Sequence, residues 1–147
     1  MPARADIDPA EMAPILPHVV LLDVLDGGAR FRYRLVGTAV ASLHRTPSTG
    51  RFVDEIIPER IRDGELSSYR DAVRQRRPLH TETAYLMGDG NDIWHERIVL
   101  PLSNHGMDVN IVLCGDSLRY NSPFKPPGLA EFVARSTDIR FEMRFLE

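Results

Sequence analysis

Residues Phe31 to Thr38 read FRYRLVGT, and Thr49-Gly50-Arg51 follow shortly after. Phe31, Tyr33 and Leu35 alternate with Arg32 and Arg34, the period-two pattern of a strand with one wet face. Upstream, His18 to Leu25 is rich in Val and Leu, and Asp26-Gly27-Gly28-Ala29 lies between the two runs. Gly-Gly at the centre of such a link suits a primed hairpin turn, which needs positive φ at both positions. That turn sets Asp23 opposite Arg32 and Leu22 opposite Tyr33. Val20, Leu22, Val24, Phe31, Tyr33 and Leu35 then share an apolar face, and Asp23, Arg32 and Arg34 share the other. Opposite charges across such a pair contribute roughly a few tenths of a kcal/mol.

Working outward, Gly37 ends the strand, at positive φ or against a helix, so Gly37→Val is expected to destabilise strongly. Thr38 is read as the cap of a short helix through Leu43, and Thr46 to Gly50 as a loop. Phe52 to Ile57 suits one helical turn, stopped by Pro58. Glu59 to Arg76 is the longest helical stretch, with Ile61, Leu66, Tyr69 and Val73 at helical spacing and Gly64 weakening its first half. Beyond Pro78 the period shortens to that of strands: Leu79 to Met87, Ile93 to Leu102 and Met107 to Asp116. The turn clusters at residues 88–92 and 104–106 make these an antiparallel meander.

At the N-terminus, Asp8 to Leu16 reads as a short helix with Asp8 as cap and Pro9 at its first position. Asn121 to Gly128 is a proline-rich loop, and Leu129 to Arg135 suits a helix. Ile139, Phe141, Met143 and Phe145 alternate with Arg140, Glu142 and Arg144, a strand whose apolar side needs cover. The chain thus divides into an N-terminal helical segment (1–17), a domain (18–120) and a C-terminal extension (121–147).

The 147 residues suit one domain, and 18 Lys and Arg against 21 Asp and Glu leave a formal charge of −3. That balance lacks the basic excess of a nucleic-acid binder, and the Arg74 to Arg77 cluster reads as a solvated helix end. Cys114 is the one cysteine, so neither an intramolecular disulfide nor a cysteine zinc site is possible. Nothing resembles a signal peptide or a membrane span of about 20 apolar residues, so no membrane role and a cytoplasmic location are expected.

This order of hairpin, helices and meander resembles the PAS fold, and more narrowly the PAS-like family of small stand-alone proteins in alphaproteobacteria. The matching stretches are DIDPAEMAPILP (6–17), FRYRLVGT (31–38), TGRFVDEI (49–56), the Tyr69 helix ending before RRPL, and LPLS (100–103). Their order and spacing carry the likeness over residues 4–120. The resemblance implies an α+β, PAS-like domain: a five-stranded antiparallel sheet with helices on one face and a pocket between. It implies a sensory or regulatory role in which dimerisation is common, and it names neither ligand nor cofactor.

Candidate ligand contacts carry competing structural readings. Tyr33 either anchors a ligand or is a core tyrosine bonded to backbone. Tyr85 and Trp94 either line a cavity or pack as ordinary sheet aromatics. Arg34 binds an anion or pairs with Asp23; Arg51 reaches a pocket mouth or holds its loop through Asp54 or Glu55. Thr38 and Tyr69 are further candidates. A flavin photosensor needs a cysteine in the helical middle, where there is none. Haem needs an axial histidine, for which His95 and His44 stand out among His18, His80 and His105. No zinc helix motif or glycine-rich phosphate loop is present, and no metal site is expected.

Three functions compete: a non-catalytic sensory domain binding a small, mostly apolar ligand, a ligand-free dimerisation module, and a small isomerase or hydrolase using Glu96 or His95. The first two call for a homodimer and a downstream signalling protein as partners.

Overall fold

The computed structural model describes residues 1–123 and 125–147; Phe124, within the proline-rich stretch, lies outside them. The FRYRLVGT hairpin forms as β1 (Val19–Leu25) and β2 (Arg30–Val36). Leu22 faces Tyr33 and Asp23 faces Arg32, as the turn chemistry predicts. Gly27 and Gly28 take φ of 69° and 107°, and Ala29 N–H donates to Asp26 O.

The register does not run through. Between Leu21 and Leu22 it shifts, so Leu21 faces Leu35 and Arg34 is the extra residue of a β-bulge. The bulge exchanges the faces of the residues beyond it. Val36 packs against the core, while Leu35, expected inside, is 39% exposed.

Three helices come next: α1 (Thr38–His44), α2 (Val53–Ile56) and α3 (Glu59–Gln75). Gly37, not Thr38, is the N-cap of α1, and no side chain caps it. Gly37 has φ −60° and ψ 153°, an ordinary extended conformation, so freedom of φ is not its reason for being glycine. Its backbone instead lies against Leu16 and Pro17, where a Cβ has no room. α3 runs unbroken through Gly64, and an added Cβ there would lie 3.4 Å from the Phe141 ring.

The meander is β3 (Leu79–Leu86), β4 (Ile93–Leu102) and β5 (Ile111–Tyr120). β5 starts and ends four residues later than the alternation of MDVNIVLCGD suggests. The ten-residue β4 is the cause: its partners run from Ile93 with Tyr120 to Leu102 with Ile111. Residues 107–110 form the link instead, with Asn110 N–H donating to Leu102 O and Met107 71% exposed.

After α4 (Leu129–Arg135) comes β6 (Asp138–Phe145), which pairs antiparallel with β3. The sheet therefore has six strands, ordered β2-β1-β5-β4-β3-β6, rather than five with the tail outside. The N-terminal stretch is also corrected. In place of one helix over residues 8–16 it makes short 3-10 segments at Arg4–Asp6 and Leu16–His18 joined by turns. Pro9, Pro14 and Pro17 remove backbone donors too often for a continuous ladder.

The main core lies between helices and sheet, with Leu22, Phe31, Tyr69, Val99, Val112 and Cys114 all buried. A second cluster of Tyr85, Ile93 and Phe132 packs α4 on the same face. The opposite face is covered in part by the N-terminal turns, through Ile7 and Met12 against Val19, Leu21 and Ile111. Among the described residues no helix is long and apolar enough to cross a membrane.

Candidate functional site

Strand alternation aims unexpected residues into the core. On β4, Ile93, His95, Arg97 and Val99 share the inner face; on β5, Val112, Cys114 and Asp116 do so. On α3, Glu65 and Tyr69 stand one turn apart and face the same place. These three elements converge on Arg97, which is 6% exposed.

Its guanidinium grips Asp116 with two parallel bonds, Nε to Oδ1 at 2.5 Å and Nη2 to Oδ2 at 2.7 Å. Nη1 donates to Glu65 Oε1 at 2.8 Å and also to the Tyr69 hydroxyl. A planar fork suits this bidentate geometry, which an ammonium cannot reproduce. Burial alone drives the Asp116 carboxyl upward, but Arg97 and then His95 overcome it and hold Asp116 well below the usual carboxylate range. Burial pulls Arg97 down, and Asp116, Tyr69 and Glu65 more than offset this. Burial pushes the Tyr69 and Tyr33 hydroxyls up, and the Cys114 thiol up to about 12.

Beside the network lies a cavity of about 280 Å³, walled by α3, β3, β4 and β6. Ile61, Tyr85, Ile139 and Phe141 give it apolar surface; Glu65 and His95 give it polar surface. Glu65 Oε2 and His95 Nε2 are both buried without a hydrogen-bond partner among the described residues. His95 Nε2 stands 3.5 Å from Asp116 Oδ1, an electrostatic contact without hydrogen-bond alignment. A second space of about 20 Å³, the size of one water, is lined by His44 and Asp116 and shares Glu65, Tyr85, His95 and Arg97 with the cavity.

The structure gathers some of the sequence-derived candidates and disperses others. Tyr85 and His95 line the cavity, and Tyr69 touches it only through Arg97. His44 lines the water-sized space, too small for a haem, with Nδ1 3.0 Å from Ser48 Oγ and its ring 5.2 Å from that of Tyr33. Arg34 pairs with Asp23 at 3.3 Å, and Arg51 with Glu55 at 2.9 Å. Thr38 is exposed at the start of α1. Trp94 points away from the cavity side of β4, under the Arg119 guanidinium. Glu65, Arg97 and Asp116 escaped the sequence reading. Two-residue alternation from Ile93 to Val99 was the signal for Arg97; nothing local marks Glu65 as its partner. Among the described residues no group of three or more His, Cys, Asp or Glu is placed to hold a metal ion.

His44 makes stability pH-dependent. Burial, helped by Arg97, lowers it from 6.5 to about 4. In that interval the unfolded chain binds the proton and the folded one does not, so stability is complete above pH 6.5 and falls as pH drops toward 4. The expected loss is roughly 2–3 kcal/mol. Urea unfolding at stepped pH checks it: His44→Gln should flatten this part of the profile, and an unchanged slope would remove His44 as its cause.

Comparison with known proteins places the chain. No curated protein matches it. The PAS domain family matches residues 1–113, a stretch that includes the hairpin, the three helices, β3, β4 and the start of β5. On that match, which covers most of the sequence, and on an α+β sheet with the hairpin–helices–meander order, the chain belongs to the PAS domain family.

Proposed function

We propose that the protein is a non-catalytic, cytoplasmic sensory domain that binds a small molecule in the cavity and signals through protein–protein contacts. A homodimer and a downstream signalling protein are its partners. PAS domains are sensory or regulatory modules, and the ligand is the finer part of the reading. The observation that carries it is a cavity lined by Glu65, whose Oε2 is buried without a hydrogen-bond partner among the described residues, together with the apolar Ile61, Ile139 and Phe141. A buried polar atom left unpaired costs roughly 1–3 kcal/mol, which a ligand donor would recover. Glu65 is already ion-paired through Oε1, so Oε2 offers an acceptor. The ligand therefore presents an N–H or O–H to Glu65 and an apolar body to Ile61, Ile139 and Phe141. It is small and mostly apolar, with one polar anchor.

Native mass spectrometry of the purified protein, beside its denatured mass and an absorption spectrum, tests this. Extra mass that disappears on denaturation is expected. Glu65→Gln keeps an acceptor for Arg97 but turns an amide donor toward the cavity, and should weaken retention roughly tenfold or more. A bare chain mass, or a ligand held equally well by Glu65→Gln, would count against the reading.

A further inference from the structure

The two edges of the sheet differ. At β2 the loop at residues 50–52 occupies the backbone: Tyr33 N–H donates to Arg51 O, and Gly50 N–H donates to Tyr33 O. At β6, Leu146 N–H donates to Pro78 O just past the strand, which sets the phase of the antiparallel ladder. Even-numbered residues direct their backbone groups to β3, and Ile139, Phe141 and Met143 direct theirs to the open side. Among the described residues no backbone group from elsewhere meets them. Phe141 and Met143 are 37% and 41% exposed at this edge. An uncovered edge of this length is a template for another strand.

The residues of β6 specify which strand. In DIRFEMRF, Asp138, Arg140, Glu142 and Arg144 share one face, and Ile139, Phe141 and Met143 share the other. Laid antiparallel on a copy of itself about Phe141, the strand sets Asp138 opposite the partner's Arg144 and Arg140 opposite the partner's Glu142. Ile139 meets the partner's Met143, and Phe141 meets the partner's Phe141. A slip by two residues one way sets Arg140 opposite itself; a slip the other way sets Glu142 opposite itself. Like charges directly opposite are unfavourable, so the pattern selects among neighbouring registers.

The neighbouring strands add to this. Glu96 faces Glu82, and Glu82 faces Glu142, giving an acidic row across β4, β3 and β6 that ends at the open edge. None of these three makes an ion pair among the described residues. In the self-paired register the next position in that row is the partner's Arg140.

We propose that β6 pairs antiparallel with β6 of a second copy, centred on Phe141, joining two sheets into one. The inference rests on the homodimer reading above and supplies its surface, independent of any ligand. Because Ile139 and Phe141 also wall the cavity, the same strand serves both the ligand and the interface.

Sedimentation velocity across micromolar concentrations tests it on the full chain. Wild type should dimerise. Glu142→Arg, an exposed change that leaves the monomer folded, should raise the dissociation constant roughly 10- to 100-fold. The exchange Arg140→Glu with Glu142→Arg restores the opposite-charge pairs and should return dimerisation to within a few-fold of wild type. A protein monomeric throughout would overturn both the dimer and its interface. A dimer indifferent to Glu142→Arg, or one not regained by the exchange, would overturn the β6 interface and leave the dimer standing.

Discussion

Gly37→Ala is expected to unfold the protein or cost it more than about 3 kcal/mol, beyond the usual range for an overpacked site. An added Cβ would lie inside 3.0 Å of the Leu16 and Pro17 carbonyl oxygens and of the Pro17 carbonyl carbon. These are backbone atoms, and no rotamer can move them aside. The site is also pinned from the other side, because Gly37 N–H donates to Val19 O at 2.7 Å. A loss of this size is a large part of the roughly 5–15 kcal/mol that typically separates folded from unfolded domains. Gly37→Val should be worse. Gly27→Ala provides the contrast: φ is +69° but the surrounding space is open, so the cost is left-handed strain of about 1 kcal/mol. Urea midpoints for the two alanine variants decide it; a Gly37→Ala midpoint near the parent's would sink the steric account.

Arg97→Met is the second large effect, with an expected cost of roughly 3–5 kcal/mol. The loss comes less from the contacts removed than from what remains, since Asp116 and Glu65 would be two carboxyls facing the core without a cation. Arg97→Lys should recover little, because one ammonium cannot span Asp116, Glu65 and Tyr69 in a single plane. Removing a carboxyl as well, in Arg97→Met with Asp116→Leu, should return part of the loss.

The pH dependence gives a signature that packing loss alone would not. In the parent, Asp116 sits below its unfolded value, so its contribution is present above about pH 4 and is lost as the pH falls toward its folded value. Without Arg97, burial pushes Asp116 upward with only His95 left to oppose it, so its folded value rises. Acidification from neutrality should then stabilise Arg97→Met relative to the parent. Parallel pH profiles for the two proteins would show that Asp116 is not governed by Arg97.

Much of the fold is legible in short stretches because local chemistry decides it. Gly27-Gly28 supplies the positive φ that a tight hairpin turn needs, and that turn sets Leu22 opposite Tyr33. Pro58 and Pro78 bracket α3, and the spacing of Ile61, Leu66, Tyr69 and Val73 defines its buried side. Alternation from Ile93 to Leu102 bounds β4 to the residue. Such features depend on φ preferences and side-chain periods that neighbours in sequence already determine. The resemblance to PAS proteins rests on these same stretches.

What tertiary structure alone decided involves residues distant in sequence. The Arg34 bulge turns Leu35 outward, and the length of β4 moves β5 along its partner. β6 finds cover at the edge of β3, with Phe141 packed beside Gly64 of α3. The candidate site is of this kind throughout. Arg97 alternates with apolar residues and so belongs inside, but no stretch of sequence names its counter-charges. Glu65 comes from α3 and Asp116 from β5, and only folding brings both to one guanidinium. A charge leaves water when burial and pairing occur together, and that is a property of three packed elements, not of any one of them.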